Sequence, residues 1–381
     1  MNWKDEKLSE VLSQNLDYVT DLGPVNYKKL SVKLYGKGVL LDGIVSGDDV
    51  KMTRHQIAKE GQVILSEIWG KKGAIGIVPE EGNGALCTSH FFLFDINTDK
   101  IEPGYLAFLC SGNYFERQLG AAAQGSTGYA ATRPKTFLET SIPLPPPHEQ
   151  RRFVAQLKQT QTTVAEIKRL RDEQQHELRL LLRQQFRKAI ADAPREPMGQ
   201  VAPIVRRPVD IDRAAIYPEL GVRSFGRGTF HKPPTIGADV TWQKPCWLKS
   251  NDLLFSNIKA WEGAVAVVDP ADDGRIASHR YITCEVDTTK MLPHFLLYYL
   301  LTPEGIEKIN QASPGTADRN RTLGTGALNK IQVPVPHPDI QRTFLALHSR
   351  IHQLIDTQHA AQADLDLLLP SALDKAFRGE L

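Results

Sequence analysis

The chain has 381 residues, of which 41% are hydrophobic and 24% are charged. This length allows two domains of ordinary size, each with its own hydrophobic core, and the composition is that of a globular protein. The 46 basic and 44 acidic residues give a formal net charge of only +2. The overall charge therefore excludes a strongly basic protein, and a polyanionic partner would need local basic surfaces.

Targeting and membrane signals are missing from the sequence. The N-terminal segment Met1–Glu6 is charged and has no apolar stretch typical of a signal peptide. The longest apolar stretch, Phe295–Leu301, is far shorter than a membrane span. The four cysteines are far apart, which favours reduced thiols over a metal site. We therefore expect a cytoplasmic protein that has no membrane contact.

The sequence contains two diverged copies of one unit of about 190 residues. Matches in chain order at nearly constant offset indicate a tandem duplication, and the unit is far longer than a solenoid repeat. The pair at offset 189 predicts that one loop of the second copy has lost a residue. The matching pairs are Val32–Gly38 with Val222–Gly228, Ile64–Val78 with Leu254–Val268, Ser89-His90 with Ser278-His279, and Ile142–Pro145 with Val333–Pro336.

Each copy has the same order of predicted elements. Short β-rich runs separated by glycine, proline and Asn-Gly turns come first. A short helix is predicted next, over Tyr105–Gln118 and over Pro293–Ile309, and then a proline-rich strand over Pro143–Pro147 and Pro334–Pro338. The predicted strands are Val63–Leu65, Ala74–Val78 and Phe91–Asp95 in the first copy, and Leu253–Ser256, Ala264–Val268 and Tyr281–Val286 in the second.

A long polar helix is predicted at the end of each copy. Residues 148 to 190 include no proline or glycine and are mostly strong helix formers. Apolar residues recur every seven positions, which predicts a narrow seam against another helix. Pro370 is expected to kink or interrupt the second helix. The seam rows are Leu157, Val164 and Leu178 with Phe153, Ile167 and Leu181, and in the second copy Leu347, Leu354, Ala361 and Leu368 with Phe344, Ile351 and Leu365.

The two long helices are expected to pair with each other in an antiparallel coiled coil, because each alone would leave its apolar stripe exposed. The alternative is that each packs on its own domain as an ordinary surface helix. At 1.5 Å per residue such a helix is roughly 60 Å long. Two similar domains held apart by this rod would suit duplex DNA, whose major groove faces the same side every ~34 Å.

Four segments of the sequence resemble the DNA specificity (S) subunits of type I restriction–modification systems. The clearest is the junction Ile142–Phe153 (IPLPPPHEQRRF), where a proline run enters the long helix, followed by the C-terminal segment Leu368–Leu381. Segments Ser66–Ala74 and Ser256–Ala264 are similar to the family's target-recognition motifs. The resemblance covers nearly the whole chain, but in the second junction Ile340 replaces the family's glutamate.

The resemblance implies an α+β fold with two tandem, pseudo-repeated α/β target-recognition domains separated by two long helices that pair as an antiparallel coiled coil. The implied boundaries are 1–147 for the first domain, 148–192 for the central helix, 193–338 for the second domain and 339–381 for the C-terminal helix.

The resemblance also implies a non-catalytic subunit of the complex. It would recognise a bipartite, asymmetric target in double-stranded DNA and dock two modification (methyltransferase) subunits and, through them, restriction (ATP-dependent translocase/nuclease) subunits. No cofactor is expected in this chain. S-adenosylmethionine and ATP would bind the partner subunits, one of which would methylate an adenine flipped out of the duplex.

Signatures of catalysis are missing from the sequence. It has no Gly-x-Gly-x-x-Gly after a strand, no Walker A loop, no Cys-x-x-Cys pair and no Gly-x-Ser-x-Gly. Ser89-His90 and Ser278-His279 suggest a nucleophile and a base. Neighbours on a strand point to opposite faces, however, so a polar or DNA-facing role is favoured. An enzyme with an unfamiliar active site is a remaining alternative.

Candidate DNA-binding residues are basic, aromatic and small polar side chains near glycines, because phosphates and base edges are contacted by such groups. The basic residues of the long helices alternate with Glu and Gln and indicate a solvated helix face instead. The candidates are Lys37, Lys51, Arg54, Trp69, Lys71, Lys72, Ser126, Thr127, Tyr129 and Arg133 in the first copy, and Arg223, Arg227, His231, Lys232, Lys259, Trp261, His279, Arg280, Arg319, Asn320 and Arg321 in the second.

Differences between the copies, such as Lys71-Lys72 against Ala260-Trp261, would set two different half-sites. Two other functions remain open at the level of sequence. One is a specificity factor of another methyltransferase-based phage-defence complex, and the other is a scaffold that joins proteins without recognising DNA.

Overall fold

The computed structural model describes residues 3–50, 54–111, 114–122, 131–240, 244–315 and 321–377. They form two compact units, Met1–Arg171 with Gln358–Leu381 and Asp172–Thr357. Each unit consists of one copy of the repeat together with part of both long helices. The α+β class predicted from the sequence is confirmed.

The first unit is built around a four-stranded sheet of order β2-β9-β6-β7 and a second sheet of order β4-β3-β8-β5, while β1 pairs with β10. Its strands are β1 (Asp5–Lys7), β2 (Leu12–Gln14), β3 (Asn26–Val32), β4 (Val39–Ser46), β5 (Gln56–Ile57), β6 (Val63–Ser66), β7 (Ile75–Ile77), β8 (Leu86–Cys87), β9 (Phe91–Ile96) and β10 (Ser141–Pro143). Its helices are α1 (Pro103–Ser111), α2 (Tyr114–Ala122), α3 (Pro134–Leu138) and the first part of α4 (Pro147–Ile190).

The second unit has an equivalent four-stranded sheet of order β12-β21-β18-β19 and four two-stranded pairs. Its strands are β11 (Arg195–Pro197), β12 (Ile204–Val205), β13 (Ile216–Tyr217), β14 (Leu220–Val222), β15 (Thr229–His231), β16 (Thr235–Ile236), β17 (Cys246–Trp247), β18 (Leu253–Ser256), β19 (Val265–Val267), β20 (Ile276–Ala277), β21 (Tyr281–Cys284) and β22 (Gln332–Pro334). Its helices are α5 (Met198–Val201), α6 (Gly237–Val240), α7 (Pro293–Leu300), α8 (Pro303–Gln311), α9 (Thr325–Lys330) and the first part of α10 (Pro338–Phe377).

The backbone changes one detail of the predicted alignment of the copies. The amide of Glu67 donates to the carbonyl of His90 (2.8 Å), and the amide of Asn257 donates to that of Arg280 (2.7 Å). His90 is therefore equivalent to Arg280 at offset 190, and the predicted match of the two Ser-His pairs at offset 189 is wrong. The offset becomes 191 only after α1 and α7, before β10 and β22.

Two predicted elements of each copy have different bounds. The single helix expected over 293–309 is two helices, because Pro303 lacks an amide hydrogen and starts α8. The hydroxyl of Thr302 caps α8 by accepting from the amide of Gly305 (3.2 Å). The strands predicted over the proline runs end at Pro143 and Pro334, since consecutive prolines cannot donate to a sheet.

A buried glutamine joins each domain to its long helix. Gln150 accepts from the amide of Glu102 (2.7 Å) and donates to the carbonyls of Lys100 (3.1 Å) and Pro145 (2.7 Å). Gln341 makes the same three bonds to Leu292, Lys290 and Pro336. The glutamine of this junction therefore joins the backbone of the domain to the start of the long helix. The neighbouring Glu149 accepts from the indole of Trp3 (2.9 Å), a bond that Ile340 cannot make in the second copy.

The long helices pair antiparallel, as the sequence predicts. In the first unit Phe153 and Leu157, near the start of α4, share a core with Leu373, near the end of α10. In the second unit Phe186, near the end of α4, packs on Phe344, near the start of α10, with ring centroids 5.0 Å apart. The helices have 44 and 40 residues, and the length of the first agrees with its lack of proline and glycine.

The predicted seven-residue rows are only partly correct. Leu354 and Leu368 are exposed, and Ile355 is buried instead. On α4 the buried residue is Leu182 and not Leu181. A straight helix drifts by about 20° per heptad, so that the buried stripe moves to the next residue. The predicted interruption at Pro370 is also wrong, because α10 continues to Phe377.

Among the described helices, none combines the length and the apolar character needed to cross a membrane.

Candidate nucleic-acid interface

Two loops lie side by side in each unit. We name residues 33–38 and 223–228 the aromatic–glycine loops, and residues 66–73 and 256–263 the lysine/tryptophan turns. In the first unit the amides of Tyr35 and Gly36 donate to the carbonyls of Lys72 (2.8 Å) and Gly73 (3.0 Å). The same two bonds join the loops of the second unit, at 2.8 and 2.9 Å. The two loops therefore form one surface in each copy.

An exposed aromatic side chain lies at the tip of each aromatic–glycine loop. Tyr35 and Phe225 are 52% and 71% exposed, and both have left-handed backbones, with φ of 60° and 62°. Such a conformation is costly for a bulky residue, and such strain is concentrated at functional sites. A Cβ atom on Gly36 would lie 2.5 Å from the carbonyl oxygen of Cys110, so this glycine is required for the close approach. Tyr35 and Phe225 were not among the residues predicted from the sequence, although both stand in the repeated motif aromatic-Gly-basic-Gly.

The first unit places several predicted DNA-binding residues around these loops. Trp69 is 46% exposed, and the ammonium of Lys72 lies 5.2 Å from its ring centre. Lys37 is exposed on the aromatic–glycine loop, and Lys71 adjoins Lys72 in the turn. The arrangement puts an aromatic face beside positive charge, which suits a sugar–phosphate backbone or an unstacked base.

An acidic residue in the same turn balances part of this charge. Glu67 accepts from the guanidinium of Arg133 (2.9 Å) and lies 3.1 Å from a ring nitrogen of His90. Arg133 is thus fixed beside the turn while most of its side chain stays exposed. It can still meet an anion, at the cost of sharing its charge with Glu67.

The second unit has a different set of groups in the equivalent turn. Two cations lie near the centre of the Trp261 ring: the ammonium of Lys259 at 5.3 Å and the guanidinium of Arg321 at 5.1 Å. Glu262 accepts from Lys259 (2.7 Å) and from the hydroxyl of Ser224 (2.9 Å), and these bonds lower the pKa of its carboxyl. This unit therefore presents two cations beside one indole ring, and one of these cations, Lys259, is paired with Glu262.

Further cations of the second unit surround the aromatic–glycine loop and the turn before β21. The guanidinium of Arg227 lies 5.7 Å from the Phe225 ring centre. His279 and Arg280 are exposed in the turn that enters β21. This turn contacts the lysine/tryptophan turn through the bond from the Asn257 amide to the Arg280 carbonyl. Arg280 replaces the His90 of the first copy, so the charge at this position does not depend on protonation.

Three candidates of the second unit make strong contacts within the domain. A ring nitrogen of His231 lies 2.6 Å from the buried carboxylate of Asp272. Lys232 pairs with the buried carboxylate of Glu219 at 2.5 Å. Arg223 donates to the carbonyl of Thr229 across the β14–β15 hairpin. These contacts stabilise the hairpin, and a DNA contact by these three residues stays a prediction.

The remaining candidates lie away from these loops or outside the described residues. The Arg54 guanidinium stacks on the ring of Tyr18, 3.6 Å from its centre. Six candidates lie outside the described residues: Lys51, Ser126, Thr127, Tyr129, Arg319 and Asn320.

The equivalent turns show how the copies differ. Gly70–Lys72 and Ala260–Glu262 are the same short helical turn, and each ends at a left-handed glycine. Lys71 is therefore equivalent to Trp261, and Lys72 to Glu262. The match of Lys71-Lys72 with Ala260-Trp261 that was predicted from the sequence is wrong by one residue. One copy has two lysines where the other has an indole and a carboxylate, so the two surfaces differ in charge.

The described parts of the chain also include titratable side chains outside the loops, among them three buried cysteines. Those parts contain no cluster of three or more His, Cys, Asp or Glu side chains suited to a metal ion. Burial raises the pKa of the Cys87, Cys110 and Cys284 thiols to about 12, which disfavours the reactive thiolate.

Solved structures with the same fold cover the whole chain. One is the HsdS subunit from Thermoanaerobacter tengcongensis, with a TM-score of 0.72 and 23% sequence identity, covering 100% of this chain and 97% of that one. Another comes from a structural study of complex assembly and conformational transition of the type I R-M system, with a TM-score of 0.70 and 22% identity, covering 100% and 98%. No protein-family model and no curated protein matches the chain. The likeness confirms, at the level of the fold, the resemblance stated from the sequence.

Proposed function

We propose that the chain is the non-catalytic DNA-specificity subunit of a type I restriction–modification complex. The observation that carries the proposal is the full-length likeness of its fold to HsdS, at TM-scores of 0.72 and 0.70. Two equivalent loop surfaces with exposed aromatic and basic side chains support the same function.

Duplex DNA is the ligand that suits these loops. The net charge of the chain is small, but cations gather at the loops: Lys37 and Lys72 in one copy, Arg227, Arg280 and Arg321 in the other. Arginine and lysine bind phosphates and the edges of guanine, and planar side chains pack on sugars and bases. Each copy would contact one part of the target.

The target is expected to be asymmetric. The first copy would use Lys71 and Lys72 where the second uses Trp261 and Glu262. Different donors and acceptors at equivalent positions favour different bases. Two unlike half-sites would follow from this difference, and the resemblance to specificity subunits implies an unspecified spacer between them. DNA shape would contribute where no base is touched.

Partner subunits would supply the chemistry. Two modification subunits would dock on the domains and the long helices, and restriction subunits would join through them. S-adenosylmethionine and ATP would bind those partners. The long helices would fix the spacer length.

The decisive test is selection of a DNA sequence by the complex of this chain with its modification subunits. Random duplexes are incubated with the complex at physiological salt, and the bound duplexes are sequenced. One split motif is expected, with affinity at least a thousandfold above that for random DNA. The proposal would be contradicted if the complex bound all duplexes equally and if its affinity for each fell equally steeply with salt concentration. That result would favour a scaffold that joins proteins without recognising DNA.

A further inference from the structure

The second unit contains a large cavity bordered by the end of α4, by α7 and by the start of α10. Its volume is about 1010 Å³, and aromatic and apolar side chains form much of its wall. The ring centroids of Phe186 and Tyr298 are 4.6 Å apart, and those of Tyr298 and His348 are 5.4 Å apart. Leu345 and Leu297 extend this apolar part. A pocket of this size is in the range of small-ligand sites, about 300–1,000 Å³.

Arginine and histidine side chains line another part of the cavity. Arg183 and Arg187 are one turn apart on α4, and His294, His348 and His352 come from α7 and α10. The imidazole centroids of His348 and His352 are only 4.3 Å apart. Two permanent positive charges and three imidazoles therefore meet in one place.

The carboxylate in the cavity wall, Glu304, is already paired with two cations. Glu304 pairs with Arg195 at 2.7 Å and with Lys308 at 3.0 Å, and these bonds outweigh burial and lower its pKa to about 2. Burial, and then the charges of His352 and His294, lower the pKa of His348 to about 4. The cluster is thus short of negative charge, and an anion placed in it would be stabilised.

The equivalent place in the first unit is lined by different side chains. Val154 and Leu157 stand where the second copy has Leu345 and His348, and Leu157 is 3% exposed. Gly104 replaces His294, and a Cβ atom there would be 2.9 Å from a methyl of Val154. Asp374, paired with Arg117 at 3.2 Å, replaces Arg183. Arg183, His294 and His348 therefore have no cationic or imidazole equivalent among the described residues of the first unit.

We propose that this cavity binds an aromatic phosphate of mononucleotide size. The phosphate would lie against the guanidinium groups of Arg183 and Arg187, which match phosphate oxygens with two parallel hydrogen bonds. The imidazoles would add donors once protonated. The ring would pack against Tyr298 and the apolar wall, which binds planar groups through stacking and burial of apolar surface.

Calorimetric titration of the full chain at pH 7 tests the proposal, with adenosine 5′-monophosphate, adenosine and inorganic phosphate as separate probes. The monophosphate is expected to bind at least tenfold more tightly than either of the others, because it alone uses both parts of the cavity. Replacing both arginines, R183A with R187A, should weaken it at least tenfold. His348→Leu introduces the residue that the first unit has at the equivalent position, Leu157, and should also weaken monophosphate binding at least tenfold.

The matched control is Arg179→Ala, an exposed arginine one turn earlier on α4 that does not line the cavity. It should leave binding within twofold. NMR titration of the histidines in the unmodified chain gives a second measurement, in which the monophosphate raises the pKa of His348. Monophosphate binding no tighter than that of phosphate, or binding unchanged in both cavity variants, would overturn the proposal, as would an unshifted His348.

Discussion

Gln150 and Gln341 show how one side chain fixes the junction between a domain and its helix. Each is fully buried and holds two carbonyls and one amide of the backbone. Gln150→Leu leaves those three groups without a partner, and buried unsatisfied groups cost about 1–3 kcal/mol each. We expect the free energy of unfolding to fall by about 3 kcal/mol after partial relaxation, as measured by urea unfolding.

Gln161→Leu is the matched control, since Gln161 is exposed on the same helix. Its effect should stay within about 0.5 kcal/mol, as is usual for surface positions. Equal destabilisation by both substitutions would show that the three hydrogen bonds of Gln150 contribute nothing.

Arg280 is the residue that we expect to contribute most clearly to DNA recognition in the second unit. Its side chain is exposed beside the lysine/tryptophan turn, whereas His231 and Lys232 are held by buried carboxylates. Arg280→Ala should cost about 1–3 kcal/mol of binding to the preferred DNA. Fluorescence anisotropy of the assembled complex measures this loss. Lys188→Ala, on an exposed face of α4, should leave the affinity nearly unchanged, and an equal loss would argue against the assignment.

His348 makes the stability of the second unit sensitive to acid. Its pKa is about 4 in the folded chain and about 6.5 when unfolded, so the unfolded state takes up a proton first. The stabilisation from the neutral imidazole is complete above about pH 6.5 and is lost as the pH falls towards 4. His348→Leu should flatten this part of the profile in urea unfolding at several pH values. Parallel profiles for both proteins would contradict the assignment.

At the scale of elements, the local sequence pattern predicts whether a segment is a helix or a strand better than it predicts which of its residues are buried. The strands around Val63 and Leu253 and the two long helices were predicted because their periodicity depends only on near neighbours. Leu182 is buried in the seam where Leu181 was predicted, because the buried face of a straight helix rotates slowly relative to a seven-residue repeat. The left-handed backbone at Tyr35 and Phe225 depends on bonds to the lysine/tryptophan turns, and the pairing of His231 with Asp272 depends on tertiary contacts. Neither is visible in the sequence.

The long helices are expected to set the DNA spacer. Inserting seven residues after Arg171 in α4 and seven after Thr357 in α10 lengthens both helices by about 10 Å. At ~3.4 Å per base pair, the preferred spacer should grow by about three base pairs. Selection of random duplexes by the variant complex measures the spacer. Insertion in α4 alone serves as the control, because it breaks the antiparallel pairing and should lower stability. An unchanged spacer in the double variant would contradict the role of the helices.

At the scale of the whole molecule, the duplication is the feature that connects sequence, fold and function. It was predictable because repeated motifs such as Val32–Gly38 and Val222–Gly228 lie at constant offset. The function of the difference between the copies was only partly predictable. Which cations are paired within the protein depends on acids from distant segments, such as Glu67 for Arg133 and Glu219 for Lys232.

Domain exchange tests most directly whether each copy recognises one half of a split target. Residues 1–145 are replaced by the first domain of another specificity subunit, and the assembled complex selects its DNA from random duplexes. We expect one half of the motif to change and the other half, with the spacer, to stay. A motif in which both halves change, or neither, would contradict the account.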